Sequence, residues 1–426
     1  MKEVEDMRKY NNYINKNNIK RQENTGKLQV LVYHDNLGEP LAGVDVLVKT
    51  EKSRQEMHLT TNSIGQTEII DLLAPPLQYS MEPSDNRPYN EYDIVIRKSG
   101  YKDVIINNAQ IFPDATAEQE IFLTKANETE TQEINIQKPV LWGDYPEKIE
   151  EDEIKPLPEQ TGFVVLPEPV IPETIIVHAG VPTNSSAKNY YVPFKQYIKN
   201  VACCEVYSNW PKEALKANVL AIISFTLNRV YTEWYRSKGY NFTITNSTAH
   251  DQAFDYGRTI YKETSQIVEE LFTTYIGKTG YKQPILTQYC DGKKATCPNW
   301  MSQWGSKNLA DNGRSYVEIL KTYYGSNIVI KKAKKVSGVP KSYPGYEVKK
   351  GSSGANVRTI QEQLNGISKN YPLIGKLKVD GIFGSKTEEA VKTFQKVFGL
   401  SQTGVVDMKT WYKISQIYVA VERLVY

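Results

Sequence analysis

Glu205 closes an apolar run, Val201-Ala202-Cys203-Cys204, and Trp210-Pro211 follows it shortly after. A residue before proline is pushed out of the helical region, and proline itself suits a first helical turn. The pattern therefore predicts one helix over Phe194 to Cys204, a break near Glu205, and a second helix over Pro211 to Tyr235. The second helix aligns Ala214, Ala217, Ala221 and Ser224 as a small-residue face suited to close packing. Glu205 is then expected in a corner lined by Val206, Tyr207 and Trp210. A carboxyl in partly apolar surroundings has its ionised form disfavoured, so it can act as a general acid near neutral pH. The competing reading is plain: a glutamate at a helix end is as a rule solvated or paired with a lysine.

The run Glu205, Asn209-Trp210-Pro211, Glu213-Ala214-Leu215-Lys216-Ala217 resembles the signature of the SpoIID family of sporulation peptidoglycan-cleaving proteins. Downstream, Met301-Ser302-Gln303-Trp304-Gly305 and Tyr316-x-x-Ile319-Leu320-x-x-Tyr323-Tyr324 are similar to that family's later elements, so the likeness spans about Thr174 to Ile330. It implies Glu205 as the catalytic acid, with Lys216, Tyr289, Ser302 and Gln303 orienting sugar and N-acetyl groups. Lys216 can equally pair with Glu213 or Glu205, and Tyr289 can equally be core. The chain departs from the family where an arginine gives way to Ile223 and a Met-Pro pair to Val206-Tyr207.

Some relatives in that family carry zinc on cysteine and histidine ligands around an STxHCQ element. Here the matching residues are Ser247-Thr248-Ala249-His250-Asp251-Gln252, with aspartate where cysteine would stand, and no metal or other cofactor is expected. Four cysteines in 426 residues make no disulfide scaffold. Cys203 and Cys204 read as core. Cys290 and Cys297 flank a turn, Asp291-Gly292-Lys293-Lys294, as a local bridge, two metal thiolates or two free thiols.

A chain of this length, 40% hydrophobic, can bury real cores and divides into about three domains. No stretch of about twenty apolar residues predicts a membrane span, and the polar start MKEVEDMRKYNNYINKNNIKRQEN shows no secretory signal. A net charge of +3, with no base-stacking or major-groove motif, gives no ground for nucleic-acid binding.

After a polar segment, 1–25, residues 26–125 read as strands over Leu28 to Tyr33, Val44 to Lys49, Glu68 to Leu72, Tyr92 to Lys98, Asp103 to Ile106 and Glu118 to Leu123. The elements GEPLAGVDVLV, Gly65 and KSGY resemble a small transthyretin-like or carboxypeptidase-regulatory-like β-sandwich. Residues 126–172 crowd glutamates and prolines and predict an extended, protease-accessible linker. Within it, Gly162-Phe163-Val164-Val165-Leu166 has the β-propensity to dock as a strand until cut. Residues 173–330 form a mixed α and β domain, with further helices expected over Ser265 to Tyr275 and Tyr316 to Tyr323. A basic linker, 331–347, follows.

Residues 348–420 carry Gly351-x-x-Gly354-x-x-Val357-x-x-Ile360-Gln361-x-x-Leu364, Val379-Asp380-Gly381-Ile382-Phe383-Gly384, Ala390-Val391-x-x-Phe394-Gln395 and Thr410-Trp411. These resemble the small helical peptidoglycan-binding domain of wall hydrolases. Val357, Ile360 and Leu364, like Ala390, Val391 and Phe394, recur at helical intervals and face a shared core, and Ser385 is expected to cap the next helix.

The whole order resembles the clostridial spore cortex-lytic enzymes of the SleC type. That likeness implies a proenzyme made in the mother cell without a signal peptide and held in the spore cortex and coat region. It also implies a subtilisin-like germination protease as activator and lytic transglycosylase activity on cortex peptidoglycan containing muramic-δ-lactam. Ordinary glycosidases use two carboxyls; a lytic transglycosylase uses the muramic acid's own C6 hydroxyl in place of water, so Glu205 alone can give and take back the proton. Activation is expected by cutting between about Gln160 and Val165, near Val164, which ends the high effective concentration of a tethered, inhibitory sandwich. A non-catalytic amidase enhancer and a structural cortex-binding protein are the competing readings.

Overall fold

The computed structural model describes residues 24–34, 39–50, 56–126, 131–155, 168–335, 344 and 346–421. Gln160, Val164 and Val165, the expected cleavage region, lie outside the described residues, as do residues 1–23. The chain divides into two compact units.

The first unit contains residues 1–142 together with 207–210 and 255–266. It holds β1 (Asn24–His34), β2 (Asp45–Lys49), β3 (Glu56–Thr60), β4 (Ile70–Ala74), β5 (Asn90–Arg97), β6 (Asp103–Ile111), β7 (Thr116–Leu123) and β8 (Thr131–Asn135). One sheet runs β3-β2-β5-β6-β8, and the other orders β7-β1-β4 with a two-residue strand, Ile260–Tyr261, at the β7 edge. Strand residues alternate between faces, which is why Leu28, Val30 and Val32 of β1 and Val46 and Val48 of β2 are all buried. Gly26 is required by space, since a Cβ there would lie 2.2 Å from the Phe112 carbonyl oxygen.

Three of these strands differ from the sequence expectation. β3 buries only Leu59, so EMHLT lacks the apolar alternation that marks a strand. β8 comes from the segment read as a free linker; it pairs in parallel with β6 and buries Ile134. Ile260–Tyr261, from the central region, pairs antiparallel with Glu118 and Ala117 of β7.

The second unit contains residues 143–206, 211–254 and 267–426. Its helices include α1 (Phe194–Glu205), α2 (Lys212–Tyr231), α3 (Gln303–Asp311), α4 (Tyr316–Tyr324), α5 (Ala355–Ser368), α6 (Ser385–Val397) and α7 (Met408–Val421). The break falls where the proline rule puts it: α1 stops at Glu205, and Pro211 flanks the start of α2 in an extended conformation. α2 is buried on nearly every side, with an apolar middle and buried polar residues, Asn218, Ser224, Thr226, Asn228 and Arg229, that bond to neighbours or to its own backbone. Ser224 on its small-residue face accepts from the Ile276 N–H at 2.8 Å, and Asn218 donates to Ser306 of α3 at 2.8 Å.

The helix expected over Ser265 to Tyr275 instead spans Lys262–Leu271. Thr274–Lys278 forms a strand against Ile328–Lys332, because backbone pairing satisfies the β-branched and aromatic run Thr274-Tyr275-Ile276. The linker expectation also changes over 143–155. Glu151 binds Arg229 in a buried pair, Lys155 is buried, and the Ile149 N–H donates to the Ala249 carbonyl at 2.7 Å.

Helices α5, α6 and α7 enclose their own core of Val357, Ile360, Leu364, Val391, Phe394 and Trp411. Two buried glutamines brace its loops. Gln361 accepts from the Gly381 N–H at 2.8 Å and donates to Asp380, and Gln395 accepts from the Gly404 N–H at 2.9 Å and donates to the Val405 carbonyl. Ser385 is not the cap of α6: Gly384 takes that place without a side-chain bond, and Ser385 is the first helical residue.

Candidate active site

Glu205 is the last residue of α1, and the extended Val206 turns the chain away directly after it. The carboxyl is 1% exposed. Its Oε1 accepts from the Ala253 N–H at 2.9 Å, and its Oε2 accepts from Gln303 Nε2 at 3.0 Å. Both oxygens are therefore fixed by donors from different parts of the chain. Two of the residues expected in its corner have partners of their own. Tyr207 packs on Phe112 at 5.2 Å between ring centroids, and Trp210 donates through Nε1 to the Ser80 carbonyl at 2.8 Å, both within the first unit. Buried Trp rings seek a polar partner for their N–H, and Trp210 finds its partner in the Ser80 carbonyl.

The Gln303 position follows from local structure. Tyr289–Cys290 and Met301–Ser302 pair in parallel, Tyr289 against Met301 and Cys290 against Ser302. Ser302 then caps α3 by accepting from the Gly305 N–H at 2.9 Å, which sets Gln303 as the first helical residue. Gly292, at φ +77°, lets the intervening loop close over Ser302; a Cβ there would fall 1.9 Å from the serine Oγ. Cys290 and Cys297 close the same loop as a disulfide. Gln303 Oε1 is buried and has no hydrogen-bond partner among the described residues, an acceptor left open beside the carboxyl.

Tyr289 is also 1% exposed, and its hydroxyl accepts from Gln252 Nε2 at 3.1 Å. Burial, with the charge of Glu205 added, pushes the Tyr289 hydroxyl well above the usual tyrosine range. Gln252 is a hub the sequence reading passed over: its Oε1 accepts from Thr226 at 2.8 Å and from Tyr197 at 3.3 Å. Its only signal in sequence is its place in the run Ser247 to Gln252.

Lys148 was missed altogether, because it lies in the segment read as a spacer. Its ammonium donates to the Asp251 carbonyl and lies 4.9 Å from the Tyr289 ring centroid. Burial pulls its pKa below the usual lysine range, opposed by the charges of Glu205 and Asp251.

Lys216 goes elsewhere. It bridges Glu270 at 2.5 Å and lies 5.5 Å from the Tyr316 ring centroid, and the Glu270 bond raises its pKa. The structure thus brings Glu205, Gln303 and Tyr289 together around Gln252 and Ala253, places Ser302 as the cap beneath Gln303, and sets Lys216 in a separate ion pair.

Asp251 is fully engaged. Its Oδ1 accepts from Arg229 Nε at 2.7 Å, and its Oδ2 accepts from Tyr235 at 2.6 Å and from Thr245 Oγ1 at 2.7 Å. Arg229 also holds Glu151, through Nη1 at 3.1 Å and Nη2 at 2.5 Å. A structural zinc site needs about four thiolate, imidazole or carboxylate ligands. The residues here do not fit one: Asp251 is spent on Arg229, Cys290 and Cys297 are joined, and no metal-holding group of His, Cys, Asp and Glu occurs among the described residues.

Residues 183–276 match the family model of the stage II sporulation protein SpoIID, and residues 353–414 match that of a peptidoglycan binding domain. The chain is 26% identical over 238 residues to the N-acetylmuramoyl-L-alanine amidase CwlL of Bacillus licheniformis, covering 54% of this chain and 62% of that protein. It is 41% identical over 68 residues to the zinc D-Ala-D-Ala carboxypeptidase of Streptomyces albus G, covering 16% of this chain and 25% of that one. Among solved structures, the SleB N-terminal domain is 32% identical, covering 17% of this chain and 93% of that chain, with a TM-score of 0.15. The chain spans less than two thirds of the curated relatives it matches. It is a multidomain protein with a sheet-rich N-terminal region, a mixed α and β region matching the SpoIID model and a helical domain matching the peptidoglycan binding model, similar over parts of its length to cell-wall proteins.

Proposed function

We propose that this protein degrades spore cortex peptidoglycan as a lytic transglycosylase, with Glu205 as its acid and base. The observation that carries the reading is the buried Glu205 carboxyl, held by Gln303 and the Ala253 N–H, while the buried Asp251, two residues before Ala253, is committed to Arg229. A carboxyl with no cation paired to it among the described residues suits a reaction in which one group gives and takes back a proton and no water is activated. Glu205 gives its proton to the glycosidic oxygen as the bond from C1 breaks. The carboxylate then takes the proton of the muramic acid C6 hydroxyl as that oxygen bonds to C1, leaving a 1,6-anhydro end and a regenerated acid. Gln303 holds Oε2 in place, and once substrate enters, its buried Oε1 would accept from an N–H or O–H of the sugar and the Tyr289 ring would stack on it. The helical domain of residues 353–414 would keep the enzyme on its polymer.

In this reading the protein is made as a proenzyme, resides in the spore cortex and coat region, acts on muramic-δ-lactam-containing glycan, and is activated by a subtilisin-like protease cutting near Gln160, Val164 and Val165. The deciding experiment is mass spectrometry of cortex products released by the protease-treated protein. Anhydro ends, one water lighter than reducing ends, support the reading; reducing ends make the protein a hydrolase. A second reading, a non-catalytic amidase enhancer or cortex-binding protein, is favoured by the near-complete burial of Glu205 and the likeness to an amidase. It holds if the purified, cut protein releases nothing alone.

A further inference from the structure

Glu205 and Tyr289 are both 1% exposed, so no glycan reaches either in this conformation. What lies over the Tyr289 ring is the ammonium of Lys148, at 4.9 Å from its centroid. That ammonium is anchored on the carbonyl of Asp251. The next two residues are the ones that hold the site: Gln252 bonds the Tyr289 hydroxyl, and the Ala253 N–H bonds Glu205. Aromatic faces bind cations and pack apolar faces alike. An oxocarbenium-like sugar carries positive charge at this stage of glycoside cleavage, and Lys148 supplies positive charge within electrostatic reach of Glu205.

The segment carrying Lys148 is held by a few bonds and buried pairs near its C-terminal end and is exposed over most of 144–150. Gln288, next to Tyr289, accepts from the Glu151 N–H at 2.9 Å and donates to the Ile149 carbonyl at 2.7 Å. Glu151 binds Arg229, and Lys278 bonds Glu153. Meanwhile Asp144, Tyr145, Glu147, Ile149 and Glu150 face solvent. A layer with one wet side can lift without opening the helices beneath it.

We propose that residues 143–155 are an intramolecular plug in which Lys148 occupies the Tyr289 ring face where a sugar ring of the glycan stacks, so that substrate enters beside Glu205 only when this segment lifts. This rests on the catalytic reading of Glu205, and it adds that the inhibitory element is the segment itself and not the sandwich.

The test uses the full chain in the Glu205→Gln background, titrated with a peptidoglycan glycan tetramer by calorimetry. Lys148→Met keeps the side-chain bulk, and Lys148→Gln keeps a donor for the Asp251 carbonyl. Both are expected to bind the tetramer at least about tenfold tighter than the Lys148 chain, since removing a competing closed state returns the affinity it withheld. The Lys148 chain itself is followed by hydrogen exchange, where saturating tetramer should speed exchange at the Ile149 and Glu151 amides. Equal affinities in folded variants, or amides that stay as slow with glycan as without, overturn the plug. In the Glu205 background, lysis by the uncut Lys148→Met chain supports both proposals. Tighter binding with no lysis even after protease leaves the plug standing and removes the lytic reading; lysis by the cut chain with unchanged binding does the reverse.

Discussion

Gln303 donates from Nε2 to Oε2 of Glu205 at 3.0 Å, and the same nitrogen lies 3.3 Å from the Glu205 backbone oxygen. One amide thus fixes both the side chain and the chain end that carries it, at the last residue of α1. This defines what substitution at either partner should do.

Glu205→Gln is expected to abolish cortex lysis while leaving the fold intact. The amide keeps the acid's size but cannot deliver a proton, and general acid–base catalysis contributes about 10²–10⁴ in rate. Turbidity loss of decoated spores measures it, with glycan binding as the control. Activity above roughly a tenth of the parent's removes Glu205 from the mechanism.

If Glu205 is the acid as proposed, Gln303→Leu should lower kcat by about tenfold or more and leave KM less changed, because the lost interaction is with that carboxyl. A buried acceptor deprived of its donor costs about 1–3 kcal/mol, so a modest loss in unfolding free energy should accompany it. Gln303→Glu, by contrast, sets a second carboxyl beside the first and should not rescue kcat. A variant that loses only affinity makes Gln303 a substrate contact alone.

The break at Trp210-Pro211, the end of α1 at Glu205 and the C-terminal core of Val357, Ile360 and Phe394 were legible because proline and helical periodicity act locally. The partners of Glu205 were less so. Gln303 was visible only through motif resemblance, and Ala253 contributes a main-chain N–H, which no residue identity advertises. The partners of Tyr207 and Trp210, the Phe112 ring and the Ser80 carbonyl, lie far off in sequence, where no local pattern announces them. Lys148 and Glu151 were hidden for a different reason. An acidic, proline-rich composition predicts an extended chain, and the single arginine on α2 that captures Glu151 lies 78 residues away.

Arg229→Met should destabilise the protein by about 3–5 kcal/mol, because it leaves Asp251 and Glu151 without their buried counter-ion. The Glu151 partnership also predicts a pH dependence. Burial raises the Glu151 pKa, but its bonds to Arg229 and Lys155 outweigh this and hold the carboxyl below its ordinary range. A lowered folded value means that the stabilisation is fully present above the unfolded value, about 4.3, and is lost as pH falls through the folded one. Urea midpoints at neutral pH and at about pH 4 should therefore differ less in Glu151→Gln than in the parent. An unchanged difference would show that other groups control acid unfolding.

Exhaustive chelation should leave cortex lysis unchanged, since Asp251 spends both oxygens on Arg229, Tyr235 and Thr245. Loss of lysis with EDTA and its return with zinc would contradict this assignment. Lys216→Met should likewise spare kcat within about twofold and cost no more than about 1 kcal/mol, the usual worth of a partly exposed ion pair. A collapse of kcat would bring Lys216 back to the reaction.

Cutting the chain between about Gln160 and Val165 should not by itself separate the fragments. The segment N-terminal to the cut keeps Glu151 on Arg229, Gln288 on both the Ile149 carbonyl and the Glu151 N–H, and the Lys155 backbone on Gln283 through its N–H at 3.1 Å and its carbonyl at 2.8 Å. The edge of β7 likewise keeps Ile260–Tyr261, and Ser80 keeps Trp210. None of these bonds depends on the peptide link that the protease removes. Loss of the tether costs only the effective concentration it provided, which a set of buried pairs can withstand. The cut protein is therefore expected to elute as one species from a sizing column while giving two bands on a denaturing gel. A chain beginning at Val165, which lacks the plug outright, should lyse decoated spores faster than the freshly cut protein. If the two fragments part on the column at once and the cut protein matches the shortened chain in rate, the tether alone held the N-terminal part in place.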